Sequence, residues 1–252
     1  MKRIHSNDFR SISEKIKENF FERARNGLFD TPYPGYPKAR YSSPDPQLPV
    51  PEGPWFHTNN HFTPLSEDER NALMLEGVVI DESGQPVHPW YEEMAADARI
   101  GVYDGPGAYW IHGPNHTVDP ILISRISKKI LLIRRGDTGA WALPGGFKDQ
   151  GENSDQAARR ELAEETRIGR FIHVMSRSVL LYSGIVADKR TTARSWAHTD
   201  ALLYRSLLPW AHKAGRSDAS EARWFSYDDL PDDFFGSHRI LVDAAFAYIN
   251  DK

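Results

Sequence analysis

One twenty-residue segment, residues 146–165, constrains the fold of this chain more than any other feature of its sequence. It begins at a glycine, continues as a predicted loop, and is expected to become a helix at about Ser154. Three glutamates then stand at i, i+3 and i+4 of that helix, so that their carboxylates share one face. These glutamates are Glu161, Glu164 and Glu165.

The shared acidic face predicts a metal site. Like charges at this spacing destabilise a bare helix, so a helix that keeps three of them together is typical of one that faces a cation. Hard divalent ions take oxygen ligands, and several carboxylates concentrate the negative charge they need. Glu152 can add a fourth carboxylate. Gly145 and Gly146, the glycine pair, permit close approach of the backbone, so that a carbonyl there could reach the ion. The predicted ligands of Mg²⁺, with Mn²⁺ as the alternative ion, are Glu161, Glu165, Glu164, Glu152 and Gly145.

The full spacing of the segment distinguishes this prediction from a solvated acidic helix face. It runs from Gly146 as glycine, five residues, Glu, seven residues, Arg-Glu, an aliphatic residue, any residue and Glu-Glu. A chance match somewhere in this chain is on the order of 10⁻⁵. The segment resembles the Nudix box through Glu165. It departs at Arg167, where that family has glycine, and Ile168 supplies the closing aliphatic residue.

The resemblance to the Nudix family implies an α/β fold, an α/β/α sandwich with a mixed β-sheet. It implies hydrolysis of a nucleoside diphosphate that is linked to another moiety. The ions would neutralise the diphosphate, orient or acidify a water and stabilise the leaving phosphate. By the same resemblance, Glu165 and Glu164 are the candidates for the general base. Arg160 is expected to orient a glutamate rather than to touch substrate.

Three further segments resemble a narrower group within that family. Residues 113–121 contain Gly-Pro-Asn-His and Asp-Pro-Ile, residues 141–146 read Trp-Ala-Leu-Pro-Gly-Gly, and residues 182–192 contain Asp188 and Arg190. They are similar to ADP-ribose pyrophosphatases of the animal mitochondrial type and to the ADP-ribose-sensing domain of melastatin-type channels. The resemblance covers residues of about 99 to 250. Its departures are Ala187, Thr191, Ala193, Arg194 and His198.

This narrower resemblance implies a set of substrate-binding residues. Arg190 is expected to make a charge-assisted contact to a phosphate or a ribose hydroxyl, with an exposed loop arginine as the alternative. Asp188 is expected beside it in the cleft, although an aspartate there can equally form a turn. Aromatic stacking on an adenine and ordinary packing both stay open for the region around Trp110. The full predicted set is Asp188, Arg190, Arg99, Trp110 and Phe147.

The order of the predicted elements gives a domain organisation. Residues 1–118 are interpreted as a smaller, irregular N-terminal domain that covers the substrate cleft, and residues 119–252 as the Nudix hydrolase domain. The N-terminal part contains a helix at 13–25, a Pro/Tyr-rich loop at 31–54, a helix opened by a Ser66–Glu69 capping box, and a hairpin at 77–87. In the second part we predict strands at 121–125, 129–135, 178–186, 198–205 and 222–225, and helices at 154–167 and 237–249.

Composition limits the partners. The net charge of −4 lacks the basic excess that phosphate neutralisation gives nucleic-acid binders, so no nucleic acid is expected. No segment approaches the ~18 consecutive apolar residues of a membrane span. The chain has no cysteine, which excludes disulfides and thiolate metal sites. Its N-terminus has no signal-peptide pattern, so we expect a cytoplasmic protein.

The sequence therefore predicts Mg²⁺-dependent hydrolysis of ADP-ribose, a small-molecule nucleoside diphosphate, to AMP and ribose 5-phosphate. Other substrates of the same class stay open, including NADH, sugar nucleotides, dinucleoside polyphosphates and capped RNA. A module that senses ADP-ribose without cleaving it is the alternative from a different class. The complete set of helix glutamates argues against a pure sensor, which has no need of metal ligands. The oligomeric state is left open.

Overall fold

The computed structural model describes residues 2–3, 6–28, 65–97, 99–100, 109, 111–166, 168, 175–207, 209 and 219–251. The Pro/Tyr-rich segment predicted at residues 31–54 lies outside this part of the chain. The chain divides into two compact units. The first unit consists of residues 1–16, 116–186 and 198–252, and the second of residues 17–115 and 187–197.

The helices and strands follow one another along both units. The helices are α1 (Ser6–Arg25), α2 (Glu67–Leu75), α3 (Tyr91–Ala96), α4 (Ser154–Thr166) and α5 (His238–Asn250), and a 3₁₀ turn covers Tyr227–Asp229. The strands are β1 (Lys2–Arg3), β2 (Val79–Ile80), β3 (Pro86–Val87), β4 (Gly113–Ser124), β5 (Lys129–Arg135), β6 (Trp141–Ala142), β7 (Gly146–Phe147), β8 (Val179–Ile185), β9 (Ser195–Ser206) and β10 (Ala219–Ser226).

The first unit is built on a mixed sheet with the strand order β1-β8-β9-β4-β5-β10. The short strands β6 and β7 pair with β5 and β4 respectively. β1 runs parallel to β8, whereas β8 with β9 and β5 with β10 are antiparallel. The register of β7 on β4 sets Gly146 opposite Val118. This pairing brings the turn that contains Gly145 and Gly146, called the glycine turn below, to the middle of the sheet.

Aliphatic residues explain why the sheet is covered by helices. Four successive residues of β5, from Ile130 to Ile133, are buried. Because successive side chains of a strand point to opposite faces, such a run is typical of a strand covered on both sides. Ala158 and Leu162 of α4 pack in one core cluster with Leu131. The predicted α/β class, with helices on a mixed sheet, is confirmed.

The second unit has a small aromatic core and a hairpin. Phe20 and Phe21 of α1 cluster with Met94 of α3 and with Ile100. The capping box of α2 is present, with Ser66 and Glu69 exchanging side-chain to backbone hydrogen bonds. The predicted hairpin is formed by β2 and β3.

Several boundaries differ from the prediction. α1 begins at Ser6 instead of residue 13, and β4 begins at Gly113 instead of residue 121. The six-residue helix α3 was not predicted, because it is short and its N-cap, Trp90, makes no side-chain capping hydrogen bond. The division at residues 118 and 119 and the covering role of the N-terminal part stay predictions. No helix among the described residues has the length and apolarity required to cross a lipid bilayer.

Candidate active site

A turn and a helix cap position the start of α4. Gly151 has a φ of 84°, in the left-handed region that favours glycine. Before the helix, the backbone N–H of Glu152 donates to the Asp149 carbonyl at 3.0 Å. Asn153 and Gln156 each accept the other's backbone N–H with a side-chain oxygen at 3.0 Å. These bonds satisfy N–H groups that have no partner within the helix, so they fix where α4 begins.

Glu165 ties α4 to the glycine turn. Its Oε2 accepts the backbone N–H of Gly145 at 2.9 Å. The residue is only 5% exposed. A carboxylate buried to this degree costs free energy unless donors or a cation compensate it. The glycine turn supplies one such donor.

Glu161 lies beside the second glycine of the turn. A side chain at Gly146 would place its Cβ 2.5 Å from Oε1 of Glu161, so the carboxylate rests against the glycine backbone. Burial raises the pKa of Glu161, and the hydrogen bond that it accepts from Arg160 at 2.7 Å opposes this shift. Like Arg160, a bound cation would favour the charged form of this carboxylate and lower its pKa.

Arg160 organises the acidic side chains around it. Its guanidinium donates to both oxygens of Glu152 at 2.9 Å and to the Phe147 carbonyl at 2.9 Å. The hydrogen bonds from Arg160 lower the pKa of Glu152 to about 2. The guanidinium is also 3.6 Å from the carboxylate of Glu164, which is half exposed. Arg160 therefore contacts three of the predicted carboxylate ligands, as an orienting residue would.

The backbone of β4 leaves no room for a side chain at Gly145. A Cβ at Gly145 would lie 2.3 Å from the carbonyl oxygen of Val118 and 2.8 Å from Oδ1 of Asp119. Cβ atoms do not approach backbone so closely, so the turn has no room for a side chain at this position. The same close approach brings the turn's backbone within reach of the carboxylates on α4.

The donors at this turn fit a hard divalent ion in their chemistry. Glu161 and Glu165 are buried carboxylates next to the backbone of Gly146 and Gly145 respectively, and oxygen donors of this kind are what Mg²⁺ and Mn²⁺ prefer. Within the described part of the chain, no three His, Asp or Glu side chains are arranged to hold a metal as a group. In the structure, Arg160 donates hydrogen bonds to both Glu152 and Glu161.

A second buried polar set lies under the turn, and the sequence did not predict a role for it. The Thr199 hydroxyl donates to Oδ2 of Asp119 at 2.6 Å. His238, the first residue of α5, accepts the backbone N–H of Leu143 with Nδ1 at 2.9 Å. Asp119 and His238 lie 119 positions apart in the sequence, and only the fold brings them together.

The second unit contains the predicted substrate residues Asp188 and Arg190. Asp188 is 4% exposed and accepts both the backbone N–H of Arg190 at 2.8 Å and its guanidinium at 2.6 Å. Asp188 therefore forms a turn, which was one of the two interpretations. The Arg190 guanidinium also stacks 5.0 Å from the ring centroid of Tyr109. Burial raises the pKa of Tyr109, and the charge of Asp188 adds to this effect.

The other predicted substrate residues have different surroundings. The Arg99 side chain is 67% exposed and pairs with Asp97 at 2.9 Å. Phe147 is partly buried in β7, and its carbonyl is held by Arg160. Trp110 lies outside the described residues. The substrate-binding roles of these residues and of Asp188 and Arg190 stay predictions.

Known proteins resemble this chain over much of its length. A putative nudix hydrolase 6 of Caenorhabditis elegans is 32% identical over 157 residues, which cover 58% of this chain and 59% of that protein. The mitochondrial ADP-ribose pyrophosphatase of Rattus norvegicus is 26% identical over an alignment that covers 87% of this chain and 76% of that protein. A solved MutT/nudix family protein from Enterococcus faecalis is 22% identical, covers 75% of this chain and 76% of that one, and superposes with a TM-score of 0.45.

A family model gives the assignment. The model of the NUDIX domain matches residues 114–244, just over half of the 252 residues. The match contains the glycine turn, Glu152, Arg160 and the three glutamates of α4. The chain belongs to the Nudix family.

Proposed function

We propose that this chain hydrolyses ADP-ribose to AMP and ribose 5-phosphate in a reaction that requires Mg²⁺ or Mn²⁺. The observation that carries the proposal is the contact of two buried carboxylates, Glu161 and Glu165, with the glycine turn. The breadth of the similarity to the rat mitochondrial enzyme, whose name states ADP-ribose pyrophosphatase activity, supports the choice of substrate.

The proposed ligands of the ion are Glu161, Glu164, Glu165, Glu152 and the Gly145 carbonyl. When bound, a divalent ion supplies charge neutralisation of the diphosphate and orientation of a water molecule. The water oxygen forms a bond to one phosphorus, and the bond from that phosphorus to the bridging oxygen breaks. The bridging oxygen leaves with the other phosphate, so one water yields AMP and ribose 5-phosphate. Glu165 or Glu164 takes the proton of the water.

Arg160 has a positioning role in this proposal. Its guanidinium holds Glu152 and Glu161 through charge-assisted hydrogen bonds, which are about twice as strong as neutral ones. The Phe147 carbonyl holds the guanidinium in turn. In the proposed reaction, Arg160 orients the carboxylates and does not bind the substrate.

The proposed contacts to substrate are made by Asp188, Arg190, Arg99, Trp110 and Phe147. Arg190 supports this proposal best, because a planar guanidinium can bind a phosphate through two parallel hydrogen bonds. Asp188 already holds this guanidinium in one orientation. A preorganised guanidinium loses less conformational entropy when it binds an anion. We also propose a cytoplasmic location and a free nucleotide derivative as partner.

The test is product formation by the purified protein. We would incubate it with ADP-ribose, NADH or a nucleotide sugar in the presence of Mg²⁺ or Mn²⁺ and quantify the products by anion-exchange chromatography. The expected result is AMP and ribose 5-phosphate in equal amounts from ADP-ribose. EDTA should stop the reaction, and excess Mg²⁺ should restore it.

Two results would contradict the proposal. Faster cleavage of NADH or of a nucleotide sugar would keep the chemistry and change the substrate. ADP-ribose that binds in calorimetry without release of AMP would indicate a sensing module. A Glu14→Gln variant is a suitable control, because Glu14 is an exposed residue of α1 and should leave the activity unchanged.

A further inference from the structure

A chain of polar groups runs beneath the glycine turn and joins three elements of the first unit. Thr199 of β9 donates its hydroxyl to Oδ2 of Asp119 on β4. Oδ1 of the same carboxylate faces Nε2 of His238, at the start of α5, at 3.6 Å. Thr199 is fully buried, and Asp119 and His238 are at most 8% exposed. Buried polar groups are costly unless they are paired, so a chain of this kind has a definite geometry.

The hydrogen bond of His238 to the backbone determines its tautomer. Nδ1 accepts the N–H of Leu143, so the proton of the neutral ring lies on Nε2. That proton points toward the carboxylate of Asp119. The imidazole thereby links a carboxylate on β4 to a backbone amide two residues before Gly145.

The Asp119 carboxylate also meets the turn directly. A Cβ at Gly145 would lie 2.8 Å from Oδ1 of Asp119. The turn is thus held by two hydrogen bonds, from the Leu143 N–H to His238 and from the Gly145 N–H to Glu165. The carboxylate of Asp119 lies against Gly145 between them. A shift of Asp119 or His238 would move the amide that orients Glu165.

We propose that Thr199, Asp119 and His238 are positioning residues that hold the glycine turn, and through it Glu165, in the geometry needed for divalent-ion binding and hydrolysis. This inference rests on the proposed function, since it assigns these residues to the same site. The contacts described above connect these residues to Glu165 through the turn. Hydrogen-bonding partners of this outer kind change metal affinity or activity by about 10- to 100-fold when they are removed.

The experiment uses pairs of variants that separate the hydrogen bond from the packing. Thr199→Val removes the hydroxyl at nearly constant shape, and Thr199→Ser restores it. His238→Leu removes the acceptor for the Leu143 amide, and His238→Asn returns an oxygen near the position of Nδ1. Ser124→Ala is the control, because Ser124 is a buried residue on the same strand as Asp119. Its hydroxyl makes two long hydrogen bonds, to the Leu207 carbonyl and from the Ser127 N–H, each at 3.4 Å.

Two quantities are measured on each full-length variant: kcat and KM for ADP-ribose, and the Mn²⁺ dissociation constant in the absence of substrate, by electron paramagnetic resonance. We expect Thr199→Val and His238→Leu to weaken Mn²⁺ binding and lower kcat, each by about 10- to 100-fold, with KM little changed. Thr199→Ser, His238→Asn and Ser124→Ala should stay near the parent. A loss of packing alone would not be rescued by the polar replacements.

The outcomes distinguish this inference from the proposed function. Parental Mn²⁺ affinity and kcat in Thr199→Val and His238→Leu would overturn the positioning role, as would an equal loss in Ser124→Ala. A parent protein that binds no Mn²⁺ would overturn it as well. A parent that leaves ADP-ribose intact but binds Mn²⁺ in the expected order among variants would refute the proposed substrate and support the positioning role.

Discussion

At the scale of single residues, Gly145 and Gly146 are required for space and not for backbone conformation. Neither has a positive φ, unlike Gly151 in the same loop. A Cβ at Gly145 would meet the backbone oxygen of Val118, which cannot move without displacing β4. A Cβ at Gly146 would instead meet the end of a flexible side chain, the carboxylate of Glu161. The two positions therefore tolerate a methyl group differently.

We predict different losses for the two alanine substitutions. Gly145→Ala should lower the free energy of unfolding by about 1–3 kcal/mol, because a well-packed site must make room. Gly146→Ala should remain closer to the parent in stability and lower kcat by on the order of 10- to 100-fold, because it displaces a predicted metal ligand. Urea unfolding and AMP release measure the two effects.

Gly139→Ala is the control for these variants, since nothing lies within 4 Å of its added Cβ. Its positive φ of 74° gives a backbone cost of about 1 kcal/mol without any contact to the turn. It should keep the parental kcat. A Gly146→Ala variant with full activity would show that the Glu161 carboxylate need not stay where the structure has it.

The sequence predicted the carboxylates of the site but not the residues beneath them. Glu161, Glu164 and Glu165 share a face because helical periodicity is a local property. Thr199 and His238 reach Asp119 only after β9 and α5 are placed, and no local pattern encodes that proximity. The Thr199 and His238 contacts are therefore information that only the tertiary structure supplies.

At the scale of elements, the types were more predictable than the faces and the ends. α4 and β5 agree with the prediction, because each has a strong local pattern and a clear boundary. β4 extends eight residues further toward its N-terminus than predicted, because its pairing with β7 includes the polar residue Thr117. Pairing with neighbouring strands, and not the strand's own composition, decides this end.

α5 shows why a face is harder to predict than a helix. Helical spacing alone puts Ile240, Ala244 and Tyr248 on one apolar face together with Leu241 and Ala245. In the structure, those three are only partly buried, and the buried residues are His238, Leu241, Val242, Ala245, Phe246 and Ile249. Apolar residues occur on most sides of this helix, so packing against the rest of the unit decides which side is buried.

His88, which follows β3 directly, lies in a cluster of aromatic side chains. His88 is 1% exposed and lies 5.0 Å from the ring of Trp196 and 5.9 Å from that of Phe20. Its Nδ1 accepts the backbone N–H of Trp90 at 3.0 Å. Burial lowers the pKa of His88 to about 3. Trp196, 2% exposed, is likewise a core residue.

We predict that His88 makes the stability of the second unit depend on pH. The unfolded histidine binds a proton near pH 6.5 and the folded one only near pH 3, so stability is complete above pH 6.5 and falls as the pH drops toward 3. The slope should approach 1.4 kcal/mol per pH unit, an order-of-magnitude figure for one proton.

Urea unfolding at pH 6.5 and pH 4.5, followed by tryptophan fluorescence, measures this slope. A His88→Gln variant keeps an acceptor for the Trp90 amide but cannot titrate. Its slope should be smaller than that of the parent by roughly one proton's contribution. Identical slopes in the two proteins would show that His88 does not stay neutral in the folded state.

At the scale of the whole molecule, the two units contain different sets of the predicted functional residues. The first unit contains the carboxylates, the glycine turn and the polar chain beneath it, and it includes most of the NUDIX match. The second contains Asp188 and Arg190 and an aromatic core of its own. The family assignment depends mainly on the first unit, because the whole glycine-to-glutamate motif of residues 146–165 lies there. The choice of ADP-ribose depends on weaker similarity that extends into the second.

The central claim is that the acidic face of α4 binds a divalent ion and catalyses cleavage of the diphosphate. The most direct measurement is the rate of AMP release by a Glu164→Gln/Glu165→Gln variant on the best substrate of the parent. Removal of the proposed general base and of a proposed metal ligand should lower kcat by at least about 10²-fold, while the circular dichroism spectrum stays that of the folded parent. A folded double variant that cleaves its substrate at the parental rate would contradict the claim.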